Sequence, residues 1–218
     1  MRNFRHWSPR FLWNRLNEKA YRRTHPDEPW LTPTADLMLA TYLLKTDVGL
    51  EFGSGRSTLW FAGHVAHLTS VEHNPAWFER ISQKIKEEGL ANVSYCLKPR
   101  QPDDGQEGLT TGYVKVTDDF AVGSLDFVLV DGICRSACTM RALPKIRPGG
   151  MLVIDNANLY LPCKSHSPNS RTAQKGASSE LWKEFLEVVT GWRSIWTSNG
   201  VSDTAFYYKP WKVGLSGQ

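Results

Sequence analysis

The sequence is constrained most strongly by a regular alternation of short apolar segments with helical ones between residues 48 and 208. One segment, 125–131, is a nearly continuous apolar run, which is typical of a strand buried on both faces of a parallel sheet. The last two apolar segments are joined by a turn at Asn199-Gly200, which is too short for a crossover helix, so these two strands must pair antiparallel. The pattern therefore predicts an α/β fold with a doubly wound, mostly parallel seven-stranded sheet and an antiparallel last strand.

The elements expected from this alternation can be placed along the chain. The predicted strands are 48–52, 68–72, 92–97, 125–131, 151–155, 192–197 and 204–208. The predicted helices between them are 57–63, 75–88, 136–146 and 179–189. Two longer polar segments, 98–120 and 162–178, follow predicted strand ends, and we expect them to be either lids over a ligand or plain insertions.

The first 46 residues do not follow the alternation and are expected to form a helical arm or cap. A helix is predicted over 9–23, with a proline in its first turn and apolar residues at a spacing of four. That stripe (Leu12, Leu16, Ala20) is expected to dock on the body of the protein or on a second subunit, which would make a homodimer. A second helix begins at Thr32-Pro33. The predicted units are thus an arm over 1–46, a cofactor-binding domain over 47–210 and a tail over 211–218.

The charge of the chain is concentrated in the arm. The formal net charge is +4, but residues 1–25 hold seven basic side chains against Glu18 alone, so the remaining chain is slightly acidic. Either the arm is a solvated amphipathic helix, or it contacts an anionic surface, sugar or partner. Because the body carries no basic excess, nucleic acid is not the expected partner.

Composition excludes several classes of protein. Hydrophobic residues make up 41% of the chain, so it is not a disordered one. No run approaches the ~18 apolar residues of a membrane span, and the arginine-rich start does not resemble a secretory signal. The four cysteines form no Cys-x-x-Cys pair, so we expect a protein of the reducing cytoplasm.

The strongest candidate site is the turn between the first strand and its helix, Glu51-Phe52-Gly53-Ser54-Gly55-Arg56-Ser57-Thr58. Its glycines let the backbone approach a ligand closely, and the helix start offers free N–H groups. Glu72 ends the second strand, 19 residues after Gly53, where a doubly wound fold places the carboxylate that accepts hydrogen bonds from a ribose diol. Together these features predict a cofactor that contains a nucleoside.

Two residues of the turn distinguish between cofactors. A dinucleotide fingerprint requires a third glycine where Thr58 stands. Glu51 would repel a pyrophosphate but suits a cofactor with a cationic end, such as an ammonium or a sulfonium. The sequence therefore favours S-adenosyl-L-methionine over NAD, and a dehydrogenase is the last of the alternatives.

With this motif the chain resembles the class I S-adenosylmethionine-dependent methyltransferases, over about residues 48–210. The segments 53–62 and 71–77 are similar to a bacterial branch that acts on small molecules or glycans. The resemblance implies that the glycine turn holds the methionine part of the cofactor, that Glu72 holds the ribose, and that His73 or Trp77 borders the adenine. Alternatively, His73 caps the helix at Pro75 and Trp77 is helix core. The implied cofactor residues are Glu51, Gly53, Ser54, Gly55, Ser57, Thr58, Glu72, His73 and Asp131.

Polar residues also follow the fourth and fifth strands, at Asp131 and at Asp155-Asn156. Two carboxylates and an amide suit Mg²⁺, and the cation-dependent O-methyltransferases carry a similar set. However, the lysine of those enzymes is missing here. The open alternatives are a metal site, a metal-free site in which Asp131 or Asp155 contacts the substrate, and ordinary turns. Arg135 either holds an acidic group of the substrate or forms an ion pair.

The expected activity is transfer of a methyl group to an oxygen, in preference to a nitrogen, of a small molecule or sugar. The catalytic candidates are Asp131, Asp155 and Arg135, with one of the aspartates accepting the proton of the acceptor. Two alternatives stay open: an RNA methyltransferase that uses the basic arm as a clamp, and a non-catalytic binding protein with the same fold.

Overall fold

The computed structural model describes residues 8–101 and 108–211 of the chain. Predictions for the first seven residues of the arm, for residues 102–107 of the longer segment and for the tail beyond 211 lie outside these ranges. The strands are β1 (Val48–Phe52), β2 (His67–Glu72), β3 (Val93–Leu97), β4 (Leu125–Val130), β5 (Ile146–Asp155), β6 (Arg193–Ser198) and β7 (Asp203–Tyr208). The helices are α1 (Pro9–Thr24), α2 (Pro33–Tyr42), α3 (Arg56–Ala62), α4 (Pro75–Glu87), α5 (Gly112–Lys115), α6 (Arg135–Ala142) and α7 (Glu180–Val188).

Within the described ranges the seven strands form a single sheet in the order β3-β2-β1-β4-β5-β7-β6. Strands β1 to β5 pair in parallel, and β7 runs antiparallel between β5 and β6. The predicted fold class is confirmed. The strand order reverses between β1 and β4, and open α/β sheets bind their ligands outside the strand ends at such a point.

The boundary between α6 and β5 differs from the prediction. The helix ends at Ala142 rather than at 146, because Pro144 has no N–H group with which to continue the helical hydrogen bonds. The strand begins at Ile146, which pairs with Leu125, and the register shifts between Leu125 and Phe127. The pair Gly149-Gly150 therefore lies inside an irregular strand rather than in a turn before it.

Where the structure describes them, the two longer polar segments are packed or held by hydrogen bonds. Tyr113, Val114 and Val116 are buried in the core beneath the sheet, so the lid alternative is wrong for residues 112–119. In the second segment, Pro162 bridges to Arg171, and the Arg171 guanidinium donates to the carbonyls of Lys175, Gly176 and Ala177. These contacts order 162–178 as a packed loop.

The N-terminal helix packs with a different face from the one predicted. Leu12 and Leu16 are 43% and 62% exposed, so docking of this stripe on the body is wrong, and a second subunit stays a prediction. Glu18 is buried instead, in ion pairs with Arg15 and Arg22. The face of α1 that turns inward contains the half-buried Phe11, Asn14 and Tyr21 as well as Glu18. No helix among the described residues combines the length and the apolar character needed to cross a bilayer.

Candidate active site

The turns that follow β1 and β4 lie directly against each other at the point where the strand order reverses. Gly53 has φ +94°, and a Cβ atom there would lie 2.7 Å from the Gly132 backbone, so only glycine permits this approach. The Asp131 N–H donates to the Phe52 carbonyl at 2.9 Å, and the Gly53 N–H donates to the Val71 carbonyl at 2.9 Å. The backbone therefore fixes Asp131 next to the glycine turn.

Glu51 is fully buried beneath this turn. Its Oε2 accepts hydrogen bonds from Thr58 Oγ1 and Ser70 Oγ, both at 2.6 Å, and Thr58 Oγ1 in turn accepts one from the Gly55 N–H. Among the described residues, Oε1 of Glu51 has no hydrogen-bond partner. Burial raises the pKa of Glu51 to about 7, against the lowering effect of the Ser57, Ser70 and Thr58 hydroxyls. A cationic ligand group would both satisfy Oε1 and favour the ionised form.

Glu72 lies where the sequence places it, but its oxygens are engaged by the protein. Oε2 accepts from the backbone N–H of Ser54 at 3.2 Å and from its hydroxyl at 2.8 Å. Oε1 accepts from the N–H groups of His73 and Asn74, both at 2.8 Å. The carboxylate thus ties the end of β2 to the glycine turn. The Ser54 hydroxyl also bonds to Tyr95 Oη at 2.6 Å.

His73 and Trp77, the two residues expected to border an adenine, make different contacts. Nδ1 of His73 lies 2.9 Å from Glu72 Oε1, whereas the cap of α4 is Asn74, whose Oδ1 accepts from the Trp77 N–H. The cap alternative for His73 is therefore wrong. Trp77 is 37% exposed and its indole N–H donates to the Ser54 carbonyl at 2.8 Å, so it flanks the glycine turn and is not helix core.

Tyr113, which belongs to no recognisable sequence motif, partly fills the crevice between the two turns. Its Oη lies 2.0 Å from where a Cβ at Gly132 would be, and it has no hydrogen-bond partner among the described residues. Beside the glycine turn lies a cavity of about 410 Å³, within the range of ~300–1,000 Å³ typical of small-molecule sites. Its walls include the glycine turn, Trp30, Trp77 and Asp131.

The three catalytic candidates come together at the ends of β4 and β5. Nη2 of Arg135 donates to Asp131 Oδ1 at 2.9 Å, and the guanidinium also donates to the backbone carbonyls of Asp131 and Asp155. Asp155 is 4% exposed, with Oδ1 accepting from Thr204 Oγ1 at 2.9 Å. Burial and the Asp131 charge raise the pKa of Asp155. Burial raises the pKa of Asp131 as well, against the effect of the Arg135 charge, and the Asp131 side chain is 33% exposed and lines the cavity.

This arrangement does not suit Mg²⁺. The Arg135 guanidinium already neutralises Asp131 from within hydrogen-bond distance, and Asp155 is committed to Thr204. Asn156, in the left-handed region with φ 50°, starts a short 3-10 turn at residue 157. No three His, Cys, Asp or Glu side chains group as metal ligands in the described ranges. Of the two readings of Arg135, the ion pair is confirmed.

A further buried carboxylate, Asp36 on α2, was not anticipated. It is 2% exposed and neither carboxylate oxygen has a hydrogen-bond partner among the described residues. Burial raises its pKa to about 8, and the charges of Glu28 and Asp155 add to the shift. A single acid next to the apolar residues of a short helix is the only signal in the sequence that pointed to it.

Comparison with known proteins gives similarity at the level of structure. No protein-family model and no curated protein sequence matches the chain. A Streptococcus mutans protein, SMU.1697c, solved in complex with SAH, is 9% identical with a TM-score of 0.55, covering 81% of this chain and 96% of its own. A methyltransferase from Geobacter sulfurreducens is 9% identical with a TM-score of 0.53, covering 90% and 88%. The chain has the Rossmann-like methyltransferase fold.

A third similar structure broadens the range of acceptors found with this fold. It is an rRNA methylase from Streptococcus thermophilus, 14% identical with a TM-score of 0.51, covering 81% of this chain and 95% of its own. At such identities the likeness shows the fold alone. The resemblance to the class I methyltransferases is confirmed at that level, while the small-molecule or glycan branch stays a prediction.

Proposed function

We propose that this chain is an S-adenosylmethionine-dependent methyltransferase that transfers the methyl group to an oxygen, in preference to a nitrogen, of a small molecule or sugar. One observation carries the proposal. A fully buried carboxylate, Glu51, retains an oxygen without a hydrogen-bond partner among the described residues. It lies beneath a glycine turn that lines a 410 Å³ cavity together with Asp131.

The residues around the turn fit this cofactor. Glu51 Oε1 would pair with the ammonium of the methionine part, which is the charge that a buried, unpartnered carboxylate requires. Gly55 has open space in front of it, because no atom lies within 4 Å of a Cβ built there. Glu72 would accept the ribose hydroxyls in exchange for the Ser54 hydroxyl, and Trp77 would flank the adenosine. When bound, S-adenosylmethionine supplies an electrophilic methyl group on a sulfonium, which is a good leaving group.

On the acceptor side, Asp131 would serve as the base. Asp131 would accept the hydroxyl proton as the acceptor oxygen takes the methyl group that the sulfonium would release with its carbon–sulfur bond. Arg135 and Asp155 would act as positioning residues, because the Arg135 guanidinium donates to Asp131 Oδ1 at 2.9 Å and the Asp155 side chain is a hydrogen-bond neighbour of Asp131. Most of the rate enhancement would come from alignment of the acceptor in the cavity. No step of this scheme is assigned to a metal ion.

Calorimetric titration of the full chain with S-adenosylhomocysteine, the demethylated product, tests the cofactor assignment. We expect binding that weakens at least about tenfold in Glu51→Gln, because the variant keeps the shape but loses the pairing charge. Glu79→Gln, an exposed glutamate on α4, is the matched control and should bind like the natural chain. Absence of binding by the natural chain would remove the proposal.

Two alternative functions, a non-catalytic binding protein and an RNA methyltransferase, predict different outcomes once the cofactor is bound. A non-catalytic protein would bind S-adenosylhomocysteine but transfer no labelled methyl group from S-adenosylmethionine to any acceptor. An RNA methyltransferase would label RNA, and the cationic surface of α1 is the observation in its favour.

A further inference from the structure

A cationic groove runs along α1 beside the cavity of the candidate site. It encloses about 980 Å³, and we call it the basic groove. The charged side chains that line it are one carboxylate, Glu18, and five cations: Arg15, Lys19, Arg22, Arg23 and Arg56. Glu18 is already bonded to Arg15 at 2.5 Å and to Arg22 at 2.8 Å. Lys19 and Arg23 form no ion pair within the described ranges. The groove therefore keeps a large excess of positive charge.

Two of these arginines are held in place by Trp30. The Arg22 and Arg56 guanidinium carbons lie 5.3 Å and 5.2 Å from the centre of the Trp30 ring. Arg22 also donates to the Trp30 carbonyl, and Arg56 donates to the Pro26 carbonyl. Guanidinium groups that are fixed in this way lose little conformational freedom when they bind an anion.

The basic groove continues into the candidate active site. Trp30 and Arg56 line both the groove and the 410 Å³ cavity that contains Asp131. Burial raises the pKa of Asp131, while the charges of Arg135 and of Arg22 oppose the shift. Arg22 therefore lies near enough to the proposed base for their charges to interact. A molecule that fills both spaces would place one part on the groove and another part at Asp131.

We infer that the methyl acceptor is a small molecule that carries a phosphate or diphosphate group, which binds in the basic groove while its hydroxyl reaches Asp131. This inference rests on the proposed function. Planar guanidinium groups pair with phosphate oxygens in a bidentate manner, and several cations suit an anion of more than one charge. A long RNA needs a basic track across the protein surface, whereas here the chain beyond residue 25 carries a small acidic excess.

The test is calorimetric titration of the full chain, saturated with S-adenosylhomocysteine, with inorganic pyrophosphate at low salt. We expect pyrophosphate affinity to fall at least about tenfold in the double variant Arg22→Gln/Arg56→Gln. In Lys19→Gln/Arg23→Gln, in which both side chains are exposed, it should fall about threefold while the affinity for S-adenosylhomocysteine is unchanged. Arg141→Gln/Arg193→Gln removes the same charge outside the groove and should change the pyrophosphate affinity less than twofold.

Each result decides one point. Equal losses in all three double variants, or no pyrophosphate binding to a chain that binds S-adenosylhomocysteine, would overturn the inference and leave the proposed function intact. A hairpin RNA that binds the groove tightly while pyrophosphate fails to compete would overturn it in favour of nucleic acid. If S-adenosylhomocysteine itself does not bind, the proposed function fails first.

Discussion

Two carboxylates lie at the ends of β1 and β2, and two more lie at the ends of β4 and β5. Different groups stabilise the two pairs. Glu51 and Glu72 are surrounded by hydroxyl and backbone N–H donors, with no Arg or Lys among their hydrogen-bond partners in the described residues. Asp131 and Asp155 lie next to each other, with Arg135 beside them.

This difference indicates that the β1–β2 side is suited to binding a cationic group and the β4–β5 side to accepting a proton. Neutral donors leave the negative charge of Glu51 uncompensated, so a cationic ligand gains by pairing with it. At β4 and β5, the Arg135 guanidinium compensates the charge of Asp131, and it opposes the rise that burial causes in the pKa of Asp131. Because burial raises this pKa, Asp131 is a better proton acceptor than a solvated carboxylate.

The largest expected effect is loss of the arginine on the β4–β5 side. Arg135→Gln leaves two neighbouring carboxyl groups without their cation, and we expect a loss of about 3 kcal/mol in the free energy of unfolding. The measurement is urea unfolding at neutral pH. Arg141→Gln, which breaks the more exposed pair with Asp118, is the control and should cost about 0–1 kcal/mol. Equal costs would mean that Arg135 is not structural.

A second prediction concerns Asp36, whose charge interacts with Asp155. Its pKa is raised above that of the unfolded chain, so the stability it contributes is complete at low pH and is lost as the pH rises from about 4 through about 8. Asp36→Asn removes this titration. We expect the variant to be more stable than the natural chain by about 2 kcal/mol at pH 8.5, with the difference shrinking toward pH 4. A difference that does not vary with pH would show that Asp36 is solvated.

The smallest effect is expected from Tyr113, between the two regions. Its buried Oη lacks a partner among the described residues, so Tyr113→Phe should be neutral or stabilising by up to about 1 kcal/mol. Gly132→Ala should destabilise by about 1–3 kcal/mol because the new methyl group meets this hydroxyl, and Tyr113→Phe should restore part of the loss. Thermal unfolding of the single and double variants measures the coupling. If the effects of the two substitutions are strictly additive, the Tyr113 hydroxyl does not lie against Gly132.

The sequence predicted the β1–β2 side better than the β4–β5 side. The glycine turn and Glu72 are close in sequence and obey a local rule of the fold, so their positions were correct. The pairing of Asp131 with Asp155 and Arg135 depends on the register of two strands and on a side-chain direction, which no local pattern specifies. Asp36 and Trp30 come to the site from the N-terminal arm through contacts across most of the chain. On α1 the apolar stripe stays exposed and the inward face combines Glu18 with the half-buried Phe11 and Tyr21, a mixed pattern that apolar periodicity does not detect.

The central claim is that Glu51 pairs with a cationic group of the cofactor, and proton release on binding tests it most directly. Burial raises the pKa of Glu51 to about 7, so at about pH 6 most molecules carry a proton there that must leave when the ammonium binds. Calorimetric titrations with S-adenosylhomocysteine in two buffers of different ionisation enthalpy should show release of roughly 0.5–1 proton at pH 6. In Glu51→Gln the release should vanish. Binding without proton release, or the same release in the variant, would contradict the account.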